Sequence, residues 1–138
     1  VMDKIPCFTK LNAERISEYL SLSNSLDSRD RNKWEVLCEK ISKGRVMDPC
    51  AIRPDIITVN SRVQLKDLHT NKEILITLVF PEDANIVQGK LSILSPMGTA
   101  ILGHSQGEAV KWEAPSGTRH MRIVKTHYQP EAAGPQPL

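Results

Sequence analysis

Aromatic rings are scarce in this chain: two Phe, two Tyr and two Trp make up 4% of its 138 residues. A pocket walled by rings is therefore hard to build. Charge of one sign is also lacking, since the formal net charge is only +2 at pH 7. Affinity for phosphates grows with the number of Lys and Arg side chains that neutralise them, so nucleic acid is not the first partner to expect. Cys7, Cys38 and Cys50 are odd in number and contain no C-x-x-C pair, which excludes a closed disulfide framework and fits a reducing compartment. Long apolar runs are missing too. The longest, Ile74 to Phe80, is far short of the roughly 20 residues a bilayer span requires. No charged head followed by an apolar segment opens the chain, so neither a signal peptide nor a membrane anchor is expected, and the expected location is cytoplasmic.

What is present suits a globular protein with one core, because 40% of residues are hydrophobic and 25% charged. At this length, one compact domain with an appendage is the natural expectation. In "LNAERISEYLSL", Ile16, Tyr19 and Leu20 recur at helical spacing, with Asn12 as the N-cap candidate. In "RNKWEVLCEKISKG", Trp34, Leu37, Cys38 and Ile41 form a second stripe. Lys40 and Lys43 crowd its last turn, and Gly44 stands where a C-cap belongs. Two amphipathic helices joined by the polar break "SNSLDSRD" predict a short antiparallel helical hairpin, a stubby coiled coil, over residues 1–48. Its second helix, Ser28 to Lys43, would be about 24 Å long.

Arg45 to Pro54 reads as a connector, with two prolines and no period. Strand signals follow. "RVQLKDL" alternates, with Val63 and Leu65 on one face, and "HTNK" supplies a turn. Ile74 to Phe80 is apolar on both faces, as a central strand covered on both sides would be. "PEDANIVQG" reads as a loop or single helical turn, Leu91 to Leu94 and Glu108 to Ala114 as short strands, and "PSG" as a tight turn into a last strand from Thr118 to Tyr128. The class expected is α+β, with a sheet domain over residues 49–130 and a flexible tail over 131–138. In "SILSPMGTAILG" an apolar strand meets a Ser-Pro pair and resumes as an apolar run. Ser95 is a preferred N-cap, Pro96 is at home in the first helical position, and Gly103 can end the helix in the left-handed region. The break is a strand-to-helix switch, with Met97, Ala100 and Ile101 as the packing stripe of a helix too short to stand alone.

The order "NSRVQLKDLHTNKEILITLVFPEDANIVQGKLSILSPMGTAILG…GEAVKWEAPSG…IVKTHY" resembles the C-terminal domain of the Gre transcript cleavage factors. The run "YQPEAAG" is similar to the branch named regulator of nucleoside diphosphate kinase, or Rnk. The resemblance covers Ile56 to Gly134. It implies an FKBP-like antiparallel sheet domain of the GreA/GreB C-terminal type, and bacterial RNA polymerase as partner, bound near its secondary channel. In Gre-type factors the Ser-Pro corner helps hold the polymerase, which maps here onto Ser95 and Pro96, with Met97 beside them. Leu94 departs from the acidic residue that some Gre proteins carry. Gre factors also place two acidic residues at the tip of a long coiled coil, where they help hold a Mg²⁺ ion for RNA cleavage, a task suited to hard carboxylate oxygens. Asp27 and Asp30 occupy the break between the helices, yet the Gre tip pattern is absent there and a helix of about 24 Å falls short of catalytic reach; Asp27 or Ser28 then serves as a cap, with Asp30 opposing the helix dipole.

The expectation is a polymerase-binding regulator that competes with Gre-type factors without cleaving transcripts, and so is not an enzyme. One alternative is a cleavage factor that uses Asp27 and Asp30. A second, an FKBP-like peptidyl-prolyl isomerase, has only Phe80, Trp112 and Tyr128 in the sheet region to line its pocket. His69, His104, His120 and His127 are scattered, so no metal, cofactor or small-molecule substrate is expected. Cys38 reads as a small apolar residue. Lys111, Arg119, Arg122 and Lys125 lack an aromatic platform for stacking bases, so no specific DNA or RNA site is expected.

Overall fold

Two short strands frame the helical pair. In the computed structural model, which describes residues 5–22 and 28–133, with 28–30 and 133 by backbone alone, β1 (Cys7–Thr9) runs directly into α1 (Lys10–Leu22). α2 (Ser28–Lys43) leads through Gly44 into β2 (Arg45–Met47), which pairs in parallel with β1 so that Phe8 lies opposite Val46. The stretch expected as a plain connector thus contains a strand. Three residues carry too little periodicity to announce one, and what specifies it is the partner at the far end of the helical pair.

The start of α1 also differs from expectation. The Thr9 hydroxyl accepts the Asn12 N–H at 3.0 Å and caps the helix. Asn12 lies inside the first turn and reaches outward, its Oδ1 accepting the Val59 N–H at 3.1 Å. Gly44 does follow the end of α2, but the reason for a glycine is close approach. A Cβ there would lie 2.6 Å from both the Phe8 ring and the Pro6 carbonyl oxygen.

β3 (Arg62–Asp67), β4 (Glu73–Val79), β5 (Lys90–Ser92), β6 (Ala109–Ala114) and β7 (Gly117–Tyr128) form one sheet in the order β5-β4-β3-β7-β6. Its pairs are antiparallel except that β5 runs parallel to β4, which corrects the wholly antiparallel sheet expected from sequence. A parallel neighbour needs a crossover, and residues 80–89 supply it with two 3₁₀ turns, Pro81–Asp83 and Ile86–Gln88. β3, not β4, is central. Val63 and Leu65 are fully buried as the alternation predicted, whereas Ile74 and Leu75 of β4 are 39% and 43% exposed. Only the end of β4 is buried, and the residue that follows it, Phe80, meets Tyr19 and Arg15 of α1.

Phe8, Ile16, Trp34 and Leu37 from the first 48 residues join Ile57, Val63, Leu78, Ile93, Ile101 and Ile123 in a single hydrophobic cluster. Burying one such side chain contributes about 1.5–3 kcal/mol. The junction is aromatic. Tyr19 stacks on Trp34 with centroids 4.6 Å apart and on Phe80 at 5.5 Å, and Arg15 lies 4.5 Å over the Phe80 ring. The Tyr19 hydroxyl and Arg15 both donate to Glu82 in the turn after Phe80. Four of the six Phe, Tyr and Trp side chains (Phe8, Tyr19, Trp34 and Phe80) are therefore packed where helices meet sheet.

After β7 the chain turns into a short helical segment, α4 (Pro130–Ala133). Gln129, buried, donates to the Arg53 and Ile56 carbonyls at 2.8 and 2.7 Å, and Glu131 accepts from the Thr58 hydroxyl at 2.7 Å. The run that marks the Rnk resemblance is thereby fastened to residues 53–58. Among the described residues no helix is long and apolar enough to cross a membrane.

Candidate functional site at the strand-to-helix corner

Ser95 is extended, with φ −65° and ψ 154°, and its Oγ accepts the Gly98 N–H at 3.0 Å while donating to the Ser92 carbonyl at 2.7 Å. It starts α3 (Pro96–Ile101), with Pro96 in the first turn as the sequence predicted. Two more hydroxyls fasten the turn. Ser92 Oγ accepts the Leu94 N–H at 3.0 Å, and Thr99 Oγ1 donates to the Ile93 carbonyl at 2.7 Å. Met97 packs against the core, Ser95 is half-buried and Pro96 is exposed, so the corner is held firmly while one apolar ring faces out. Gly98 is buried, and a Cβ on it would collide with the Ser92 carbonyl oxygen.

The other end of α3 is closed from outside. Gly103, with φ 89°, sends its N–H to the Ile57 carbonyl, and the His104 N–H goes to Ile101. Those amides would otherwise have extended the helical ladder to Thr99 and Ala100. Lys40 of α2 takes their place, its Nζ donating to the Thr99 and Ala100 carbonyls at 2.6 and 3.0 Å. The sequence places Lys40 near the carbonyls of its own helix; the structure assigns it to the C-terminus of another. Its position three residues after Leu37, at the border of the apolar stripe, is the one signal that points inward.

A groove of about 670 Å³ runs beside the corner, bordered by Lys40, Pro96, Ala100, Glu108, Val110 and Trp112. Burial would raise the Glu108 carboxyl, but the Ser105 N–H and hydroxyl together with His104, 3.4 Å away, outweigh it and hold Glu108 below the usual carboxylate range. Burial lowers Lys40 to about 8, against the opposing pull of Glu108. A depressed lysine contributes stability fully above its unfolded value near 10.5 and loses it as pH falls through about 8. In paired denaturation series, wild type should therefore gain on Lys40→Met between pH 7.5 and 10.5 by up to about 3 kcal/mol. A difference that stays flat over that range means the ammonium is not desolvated.

Ser95, Pro96 and Met97 are consecutive at the start of α3, Ser95 as its cap. Asp27 lies outside the described residues, and Asp30 is placed by its backbone in the first turn of α2. His69 and His120 meet edge to face at 5.3 Å, and His127 pairs with Gln64 at 2.9 Å. Among the described residues no group of three metal-ligating side chains converges. Cys38 is half-buried, and burial pushes its thiol up. Two of the four cations near the last strands are engaged internally, Arg119 with Asp67 and Arg122 with the Gly107 carbonyl at 2.8 Å. Phe80 is committed to Tyr19.

Residues 52–128 match the family model described as "Transcription elongation factor, GreA/GreB, C-term". The chain is 33% identical over 101 residues to the regulator of nucleoside diphosphate kinase of Escherichia coli (strain K12), covering 72% of this chain and 74% of that protein. It is 36% identical over 85 residues to transcription elongation factor GreA of Syntrophomonas wolfei, covering 62% of this chain and 54% of that one. Among solved structures, a prokaryotic transcription elongation factor GreA/GreB from Nitrosomonas europaea superposes with a TM-score of 0.70 at 33% identity, over 91% of this chain and 100% of that chain.

Proposed function

The chain belongs to the GreA/GreB C-terminal family, and from that membership we propose that it is a transcription regulator that binds bacterial RNA polymerase near the secondary channel. The Ser95–Pro96–Met97 corner is the docking element, on a domain of FKBP-like build. The helical pair is a short coiled-coil arm that occupies the channel entrance, competes with Gre-type factors and cleaves no RNA. The observation that carries this reading is the corner itself: three hydroxyls and a buried glycine fix a turn whose proline is left facing out. Pro96 suits the first helical position on its own account, and its outward ring on so firmly braced a turn is in addition open to a partner. The absence of cleavage is supported by reach. α2 has 16 residues, about 24 Å at 1.5 Å per residue, and its half nearer the loop is itself laid against the body, Trp34 stacking on Tyr19 and Tyr19 on Phe80.

A pull-down with core polymerase tests the docking. Pro96→Arg alters an exposed position at a helix start, where the fold tolerates most residues, and should weaken binding by about tenfold or more with little change in thermal midpoint. Wild type that does not bind core polymerase ends the proposal. On backtracked complexes the protein should slow cleavage stimulated by a Gre factor. Acceleration instead, lost on combining Asp27→Ala with Asp30→Ala, would show that the arm does chemistry.

A further inference from the structure

We propose that Lys40 is a positioning residue for the docking corner, its ammonium tying the second helix of the arm to the open carbonyl end of the helix that begins at Ser95–Pro96. The inference rests on the docking reading above and adds to it a mechanical link between arm and corner.

The geometry has three parts. α3 has six residues, too few to be stable except by packing and end contacts. Its first turn is held by its own strand-side hydroxyls, but the Thr99 and Ala100 carbonyls lose their usual donors when Gly103 and His104 turn their N–H groups to Ile57 and Ile101. Lys40 supplies both missing bonds, at 2.6 and 3.0 Å. A cation at a helix C-terminus is favoured by the aligned carbonyl dipoles, and a charge-assisted bond is stronger than a neutral one. Orientation of α3, and hence of Pro96 at its other end, is thus referred to a residue of α2.

The second part is what surrounds the ammonium. Among the described residues no carboxylate lies within ion-pair distance of Lys40. The titratable groups that share its groove are Lys43 on α2, His104 and Glu108 in the segment before β6, and Lys111 and His120 on β6 and β7. Glu108 is already occupied by Ser105 and His104, and Lys43 by Glu39 at 3.0 Å. Lys40 is therefore held by main-chain carbonyls, and its place in the fold follows from where those two carbonyls point.

The third part is that a largely desolvated ammonium, bonded to main-chain carbonyls and with Glu108 acting on it only from beyond ion-pair distance, is a poor way to stabilise a fold. The cost of desolvating the ammonium offsets much of what its two bonds contribute, and the half-buried Thr99 and Ala100 carbonyls can turn to water when it is removed. Overall stability and docking geometry should then separate on substitution, which a purely structural lysine would not allow.

The test uses the full chain with Lys40→Met, and with Lys43→Met as a control that removes a cation from the same groove. Three quantities are read: thermal midpoint, amide hydrogen exchange at residues 99–102, and Kd for core polymerase. For Lys40→Met the expected results are an unchanged or raised midpoint, faster exchange confined to α3, and a Kd raised about tenfold; Lys43→Met should leave all three unchanged. Unchanged exchange or unchanged Kd in Lys40→Met overturns the proposal while leaving the docking reading intact. An equal loss of affinity in both variants also overturns it, since groove charge would then be the cause. Should Lys40→Met not fold, Lys40→Gln, which keeps a donor on a shorter stem, takes its place, and failure of both makes Lys40 an element of general stability and overturns the positioning role. Wild type that does not bind polymerase removes the docking reading and this inference with it, and that outcome is recognisable because it precedes any substitution.

Discussion

Gly98→Ala is expected to lower stability by about 3 kcal/mol or more, a fall of roughly 10 °C in thermal midpoint for a chain of this size, and to abolish binding to core polymerase. Alanine is the better helix former by up to about 1 kcal/mol, so propensity alone predicts the opposite sign. The steric term decides. The added methyl would overlap the Ser92 carbonyl oxygen and press on Ser95 Oγ and the Ile93 Cα. Ser92 cannot retreat freely, because its carbonyl accepts from both the Ser95 N–H and the Ser95 hydroxyl. Relief requires parting α3 from the end of β5, which dismantles the corner. Calorimetry with a parallel pull-down measures both effects. A midpoint within about 3 °C of wild type would mean that the turn can open without loss, and that the close approach at Gly98 is incidental.

Trp34→Ala is expected to cost about 3–5 kcal/mol. The indole is 2% exposed and is the first ring in a stack that continues through Tyr19 to Phe80. Its removal takes away a large buried surface and leaves Tyr19 with one aromatic neighbour rather than two. Tyr19→Ala should cost less, since Tyr19 is only partly buried. The double variant should fall short of the sum by about 0.5–1.5 kcal/mol, the scale of an aromatic pair. Urea titration of the four proteins yields this coupling directly. Strict additivity would mean that the rings are neighbours without being partners, and that the arm is not braced through them.

Residues whose role is periodic were legible in the sequence. Ile16, Trp34 and Leu37 on the helices, and Val63 and Leu65 on β3, fall at spacings that only one secondary structure can bury, and all five are buried. The capped corner was legible for a different reason: Ser, Pro and Gly carry strong local preferences that need no partner. What escaped was whatever depends on a residue far away in the chain. The β1–β2 pair is three residues long on each side and exists because the two ends of the helical pair meet. Asn12 resembles a cap, yet its side chain is used by Val59, 47 positions on. Lys40 has the appearance of an ordinary basic residue in a last turn until α3 is placed against it. The parallel run of β5 depends on how residues 80–89 cross over, which no alternation within β5 could reveal. For the candidate site, local chemistry marked Ser95 and Pro96 as a helix start and the resemblance to Gre factors marked them, with Met97, as a docking corner, while Gly98 and Lys40, which hold them in place, required tertiary structure.

The concentration of rings at the junction leaves the chain's two tryptophans in different surroundings. Trp34 is sealed between helices and sheet, whereas Trp112 borders the groove next to Pro96. Excited indoles report the polarity around them, so one of the two follows the seating of the arm and the other follows whatever arrives at the corner. Replacing either one with phenylalanine isolates the light of its counterpart, and the protein becomes its own sensor without any attached dye.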